Sequence, residues 1–292
     1  MKNLFILLLS FGVTAAFGQY QIGIIPRVSP DKAIFHKLGL TEINITYGSP
    51  SVKGRTVWGD LVPWNKVWRA GANNATTIEC STDILFNDKR VPAGKYALFV
   101  LPYKDSTWTV ILSKQAKQWG AFRYNQDDDL LRTQILPTTR RDVHEKLTYT
   151  IHQHDVESGE IILSWENINL NIPIQTEYAE LFIQSVENRA TTLDDTLKSV
   201  LFIQGAEHLL DIKKNYAKSL EWINTCDGYL KSFSKWNKQY YPLDYVKGHA
   251  AWIRIRAHHE KNNLSADEKA IELFKADHPL YYERNQEKID NY

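Results

Sequence analysis

Several things this chain has little of narrow the field. Its 35 basic and 34 acidic residues leave a net charge of +1, so there is no electrostatic footprint for nucleic acid or an anionic membrane surface. Methionine occurs once, against 9 tryptophans and 15 tyrosines, a balance that fits a rigid extracytoplasmic protein. Only two cysteines are present, Cys80 and Cys226. Cys80 alternates with Ile78, and Cys226 stands at helical spacing from Ile223 and Leu230. The pattern reads as two buried thiols, with a bridge in an oxidising compartment as the alternative.

Catalytic motifs are also scarce. No Gly-x-Ser-x-Gly elbow, phosphate-binding glycine loop or Cys-x-x-Cys pair occurs. Asn125, Asp127 and Asp129 have the opening spacing of a calcium loop. Leu130 and Leu136 stand where the turn glycine and the bidentate acid belong, so the segment reads as a solvated acidic loop. His258-His259-Glu260 lacks the one-turn histidine spacing of a zinc protease.

Long apolar runs are confined to the start. Lys2 precedes the run Leu4 to Ala16, and the small residues Ala16 and Gly18 stand before Gln19. That is the layout of a signal peptide over 1–18, with an uncleaved anchor as the alternative. An exported protein, periplasmic or extracellular, with no transmembrane segment in the mature chain is therefore expected.

Two periodicities divide the rest. From Thr41, Ile43, Ile45 and Tyr47 alternate with polar residues, and comparable stretches follow at Thr77–Ser81, Ile84–Phe86, Tyr96–Leu101, Trp108–Leu112, Leu147–His152, Glu160–Trp165 and Ile168–Ile174. Asn87-Asp88-Lys89, Pro92-Ala93-Gly94 and Glu157-Ser158-Gly159 read as turns. Short strands with such turns predict an antiparallel, jelly-roll-like β-sandwich over 19–175.

After Thr176 the period becomes helical. The stripes are Leu181, Ser185 and Val186; then Leu197, Val200, Leu201, Gln204 and Leu209; then Tyr216, Leu220, Ile223, Cys226 and Leu230. Val246, His249, Ala250, Ile253 and Ala257 follow, and Ala266, Ala270, Leu273 and Phe274 end the series. Ser265 with Glu268 predicts a capping box, and Asp277-His278-Pro279 a stop. The class is thus α+β, with an all-α helical-hairpin region over 176–292. Stacked repeats of the TPR kind and a plain bundle both fit that pattern, and either suits protein contacts.

One dense stretch stands apart. Thr46-Tyr47, Pro50, Val52-Lys53-Gly54-Arg55, Gly59, Leu61-Val62-Pro63, Val67-Trp68-Arg69, Gly71-Ala72-Asn73 and Ala75-Thr76 form its core. With Ser29-Pro30, Pro92 to Tyr96, Trp108 to Ile111 and Trp165-Glu166, it resembles a family of exported bacterial proteins common in Bacteroidota, domain-of-unknown-function family 2911. The resemblance covers about Ser29 to Ile174 and implies a β-rich exported domain, with no accepted activity, cofactor or site residue. Family members often have Arg at the position of Ser49 and Glu at that of Asn74, so this chain lacks those charges.

Arg55, Trp58, Trp64, Trp68, Arg69 and Asn73 are the candidate ligand-binding residues. Indole faces stack on sugar rings, and Arg and Asn donate to hydroxyls and carboxylates, which suits a glycan or other small ligand. The competing reading is a crossover loop whose tryptophans fill the sandwich mouth and whose arginines pair with Asp60, Glu79 or carbonyls. His152 and His154 share one strand face and could begin a metal site if His36, His144 or Glu166 supplied a third ligand. Three roles follow: a non-catalytic binding protein, a metal-assisted hydrolase, or a purely structural envelope protein. No cofactor is indicated.

Overall fold

The structure is a computed structural model and describes residues 26–232, 243–262 and 268–291. The expected signal segment, Ser265 of the capping box, Ala266 and the burial of Ala270 lie outside the described residues.

Alternating apolar residues build two antiparallel sheets. The larger has the order β1 (Asp31–Leu38), β2 (Thr41–Gly48), β3 (Ala72–Cys80), β6 (Gly94–Leu101), β7 (Trp108–Ser113) and β8 (Asp129–Ile135). The smaller has the order β5 (Lys89–Val91), β4 (Ile84–Phe86), β10 (Ser158–Thr176) and β9 (Thr138–Gln153). Register puts Ile45 opposite Ile78 and Ile78 opposite Tyr96, so the inward residues of neighbouring strands form continuous rows. Those rows share one core with Leu147, Tyr149, Ile161, Leu163 and Ile172 of the smaller sheet. This is the expected sandwich.

Strands β6 and β7 are buried on both faces, which alternation does not predict. The segment between β7 and β8 crosses the outer face of the larger sheet, where Ala121 and Tyr124 pack on Ala75, Ala97, Phe99 and Ile111. Tyr124 donates to Asp129 at 2.8 Å and accepts from Arg132 at 2.8 Å. The acidic loop is therefore only partly solvated. Asn125 caps a 3-10 turn over Gln126–Asp128, while the Asp129 side chain is 7% exposed and paired with Arg132. Strands β1 and β8 were not apparent from the period, because β1 is mostly exposed and β8 begins inside that acidic run.

Six helices follow among the described residues: α1 (Tyr178–Ala190), α2 (Asp195–Asp211), α3 (Tyr216–Ser232), α4 (Leu243–Asn262), α5 (Glu268–Asp277) and α6 (Pro279–Asp290). Proline at the first position of α6 fits its missing N–H, so the predicted stop is also a start. The expected faces of α3 and α4 turn inward: Ile223, Cys226, Leu230, Val246, Ala250, Ile253 and Ala257 are buried, and Tyr216, Leu220 and His249 are half-buried. Those of α1 and α2 are rotated: α1 buries Ile183, Val186 and Ala190 with Ser185 exposed, and α2 buries Ser199, Phe202, Ile203 and Ala206 with Leu197 49% exposed. In α5, Phe274 is buried, whereas Leu273 is 58% exposed.

The two regions are joined by specific contacts. Asp155 accepts bonds from the amides of Glu157 and Ser158 and from the Ser158 hydroxyl, which shapes the turn between β9 and β10. The turn then presents Glu157 to Lys214, and Thr176 donates to the Glu157 carbonyl at 2.8 Å. Tyr178 donates to or accepts from His208 at 2.7 Å, and its ring lies where a Cβ on Gly39 would stand 2.5 Å away. Gly39 also has φ +58°, so glycine suits this joint twice over.

Candidate functional site

The segment between β2 and β3 closes one mouth of the sandwich and is pinned at both ends. Val52 donates to Glu145 on β9 at 2.7 Å, and Leu147 donates to Pro50 at 2.9 Å. At the other end Trp68 and Val100 exchange backbone bonds of 2.8 and 2.9 Å. Between the pins, Lys53 and Gly54 turn the chain through the left-handed region.

The tryptophans of this segment divide. Trp58 is inside, with ring centroids 4.7 Å from Trp108, 5.6 Å from Trp68 and 5.8 Å from Trp165. Trp64 is half-buried against Trp108 at 6.2 Å. Trp68 stacks on Trp165, with centroids 5.8 Å apart and planes at 19°. That stacked pair forms part of the wall of a cleft of about 280 Å³.

Of the six candidate binding residues, Arg55, Trp68 and Arg69 line this cleft. Trp58 and Trp64 do not line it; they belong to the packing beneath. Asn73 does not line it either, because its amide donates to the Ser29 carbonyl at 2.8 Å and ties β3 to the approach of β1. The cleft also takes in Val28, Lys53, Leu61 and Trp165, which sequence reasoning did not include. Trp165 is separated from the loop by almost a hundred residues and arrives through sheet pairing, while the two rim residues look like ordinary loop positions. Val28 is 81% exposed and Leu61 41% exposed.

The cleft's polar character is one-sided. Its lining includes Lys53, Arg55 and Arg69 and no carboxylate. Arg55 donates to the carbonyls of Val52 at 3.0 Å and Ser51 at 2.6 Å, which orients its guanidinium. Arg69 pairs with neither Asp60 nor Glu79; Glu79 is occupied by Lys95 at 3.2 Å. The Arg69 Nε is buried with no acceptor, and so is the Nε1 of Trp165, a side chain only 1% exposed. Burial alone pulls the Arg69 guanidinium below its ordinary pKa, with no anion beside it to raise it. The cleft thus gathers three cations and no carboxylate, and two of its lining side chains, Arg69 and Trp165, each have a buried donor with no acceptor within the protein.

The histidine pair is elsewhere. His152 and His154 are exposed, with ring centroids 5.1 Å apart. The three suggested partners are engaged separately: His36 with Gln153 at 3.2 Å, His144 with Thr148 at 3.1 Å, and Glu166 beside the Val57 amide at 3.5 Å. Among the described residues no three His, Cys, Asp or Glu side chains are gathered to hold a metal. Cys80 and Cys226 are free and buried, and burial pushes both thiols up to about 12.

The fold and cleft define a two-sheet sandwich protein with a cationic, tryptophan-walled cleft at one mouth and a helical region docked behind. Residues 29–174 match the model of a family described as protein of unknown function (DUF2911), and the chain belongs to that family. No curated protein and no solved structure matches it. No helix among the described residues is long and apolar enough to cross a membrane.

Proposed function

We propose that this chain is an exported envelope protein whose sandwich binds a small organic anion without transforming it, most simply an acidic sugar or sugar-acid fragment. The observation that carries this reading is the convergence of Lys53, Arg55 and Arg69 on one cleft with no carboxylate in its lining. A ligand carboxylate would gain charge-assisted bonds from these side chains. Lys53 and Arg55 add charge of the same sign, and Val28, Leu61 and Trp68 offer apolar surface to the body of the ligand. The helical region would then hold the sandwich and present protein contacts.

Isothermal titration tests this with N-acetylmuramic acid, glucuronate and N-acetylneuraminate, and with N-acetylglucosamine as a neutral control. Binding of at least one acid, weakened about tenfold or more by Arg69→Met, is expected. A folded protein that binds none of the acids, or binds them equally well after the substitution, contradicts it.

A further inference from the structure

A second groove lies on the outer face of the larger sheet, where the crossing segment leaves β2, β3 and β6 uncovered. It measures about 450 Å³. Its floor follows from strand register: Thr46 faces Thr77 across β2 and β3, and Lys95 stands beside them on β6 opposite Glu79. One wall is the chain from Ala116 to Trp119, stitched to a bulge at the start of β3. There the Ala75 amide donates to the Gln118 carbonyl at 3.0 Å and the Gly120 amide to the Asn73 carbonyl at 3.0 Å. This stitching fixes Trp119 over the groove rather than on a free loop.

What sets this groove apart from the cleft is a largely exposed indole. Trp119 is 56% exposed, a large indole left in water at a position held by backbone bonds. One side of it carries the Arg27 guanidinium, 5.7 Å from the ring centroid. Around it stand amides and hydroxyls, which both donate and accept, together with the ammonium groups of Lys117 and of Lys95, the latter paired with Glu79 at 3.2 Å. The Gln118 amide nitrogen donates to Gln115 at 2.8 Å, while its Oε1 is buried with no partner. Thr46 and Thr77 share a single 2.6 Å bond, which leaves one hydroxyl hydrogen and several lone pairs between them. Asn74 is exposed at the same rim.

We infer that this groove is a second, independent ligand site, taking a neutral sugar ring laid against Trp119 with its hydroxyls matched to Asn74 and the Thr46–Thr77 pair. A sugar hydroxyl both gives and receives hydrogen bonds, so it suits the amide and hydroxyl part of this lining. Its C–H face suits an indole face. The open shape fits an oligosaccharide passing across the sheet.

Saturation-transfer NMR with the full mature chain and the neutral trisaccharides chitotriose, cellotriose, maltotriose and xylotriose tests this. At least one should show transfer to ring protons. Trp119→Ala and Asn74→Ala should each weaken that binding about tenfold, Trp119→Phe should retain part of it, and the remote Val143→Ala should not change it. Circular dichroism establishes that each variant is folded. No binding of any trisaccharide by folded protein overturns the inference. So does binding that survives both alanine substitutions.

Discussion

Two arginines from one stretch of sequence meet different fates. Arg55 is satisfied by carbonyls three and four residues away, a local arrangement that the turn at Lys53 and Gly54 creates. Arg69 has its Nε buried without an acceptor. Nothing in the sequence distinguishes them, because the difference arises from which end of the segment is pinned to which sheet. The cysteines were more legible, since alternation and helical spacing placed each in an apolar row. With both thiols buried and raised to about 12, neither should react with a thiol-specific disulfide reagent at pH 8 while the protein is folded. Two equivalents should react after denaturation, and rapid labelling of the native protein would refute this.

At the scale of elements, strands with a plain alternation were readable and those without it were not. Strands β6 and β7 needed a covering segment that only the tertiary fold provides. In α2 the apolar residues spread around the helix, and small residues decide which side packs. Gly205 lies so close to Trp222 that an added Cβ would stand 2.9 Å from the ring, so contact follows close approach rather than the largest hydrophobic residues. The last helix is fastened by charge: Glu207 on α2 accepts from His249 on α4 at 2.9 Å and pairs with Lys288 on α6.

The His249 hydrogen bond and the Lys288 contact hold the Glu207 carboxyl down at about 2, against the opposing effect of burial. A carboxyl lowered on folding adds stability above its unfolded pKa of about 4.3 and loses it as pH falls toward 2. Glu207→Gln should therefore destabilise the protein by roughly 1–3 kcal/mol at pH 7. That difference should shrink between about pH 4.3 and 2. Denaturant titrations at both ends of the window measure it, and a difference independent of pH would count against the assignment.

Across the whole molecule, the change of period at Thr176 marks where strand gives way to helix, and this was plain in the sequence. The contact that couples the two regions was not, because Glu157 read simply as a turn residue. It is 9% exposed, faces Lys214 and is framed by bonds to its own carbonyl. Removing one partner of such a pair leaves the other charge poorly compensated. Glu157→Ala should split a single calorimetric transition into two, with the helical region melting first; one unchanged transition would show that the joint lies elsewhere.

Arg69 is the residue at which ligand binding and a purely structural role predict opposite behaviour. The direct measurement is the denaturant stability of Arg69→Met, with and without the acid that binds best. If the side chain is an uncompensated donor, the variant should be at least as stable as the parent in buffer alone and should lose the stabilisation that the acid confers. A variant destabilised by more than about 1 kcal/mol without ligand, with ligand stabilisation intact, would make Arg69 a structural residue and the cleft an incidental gap.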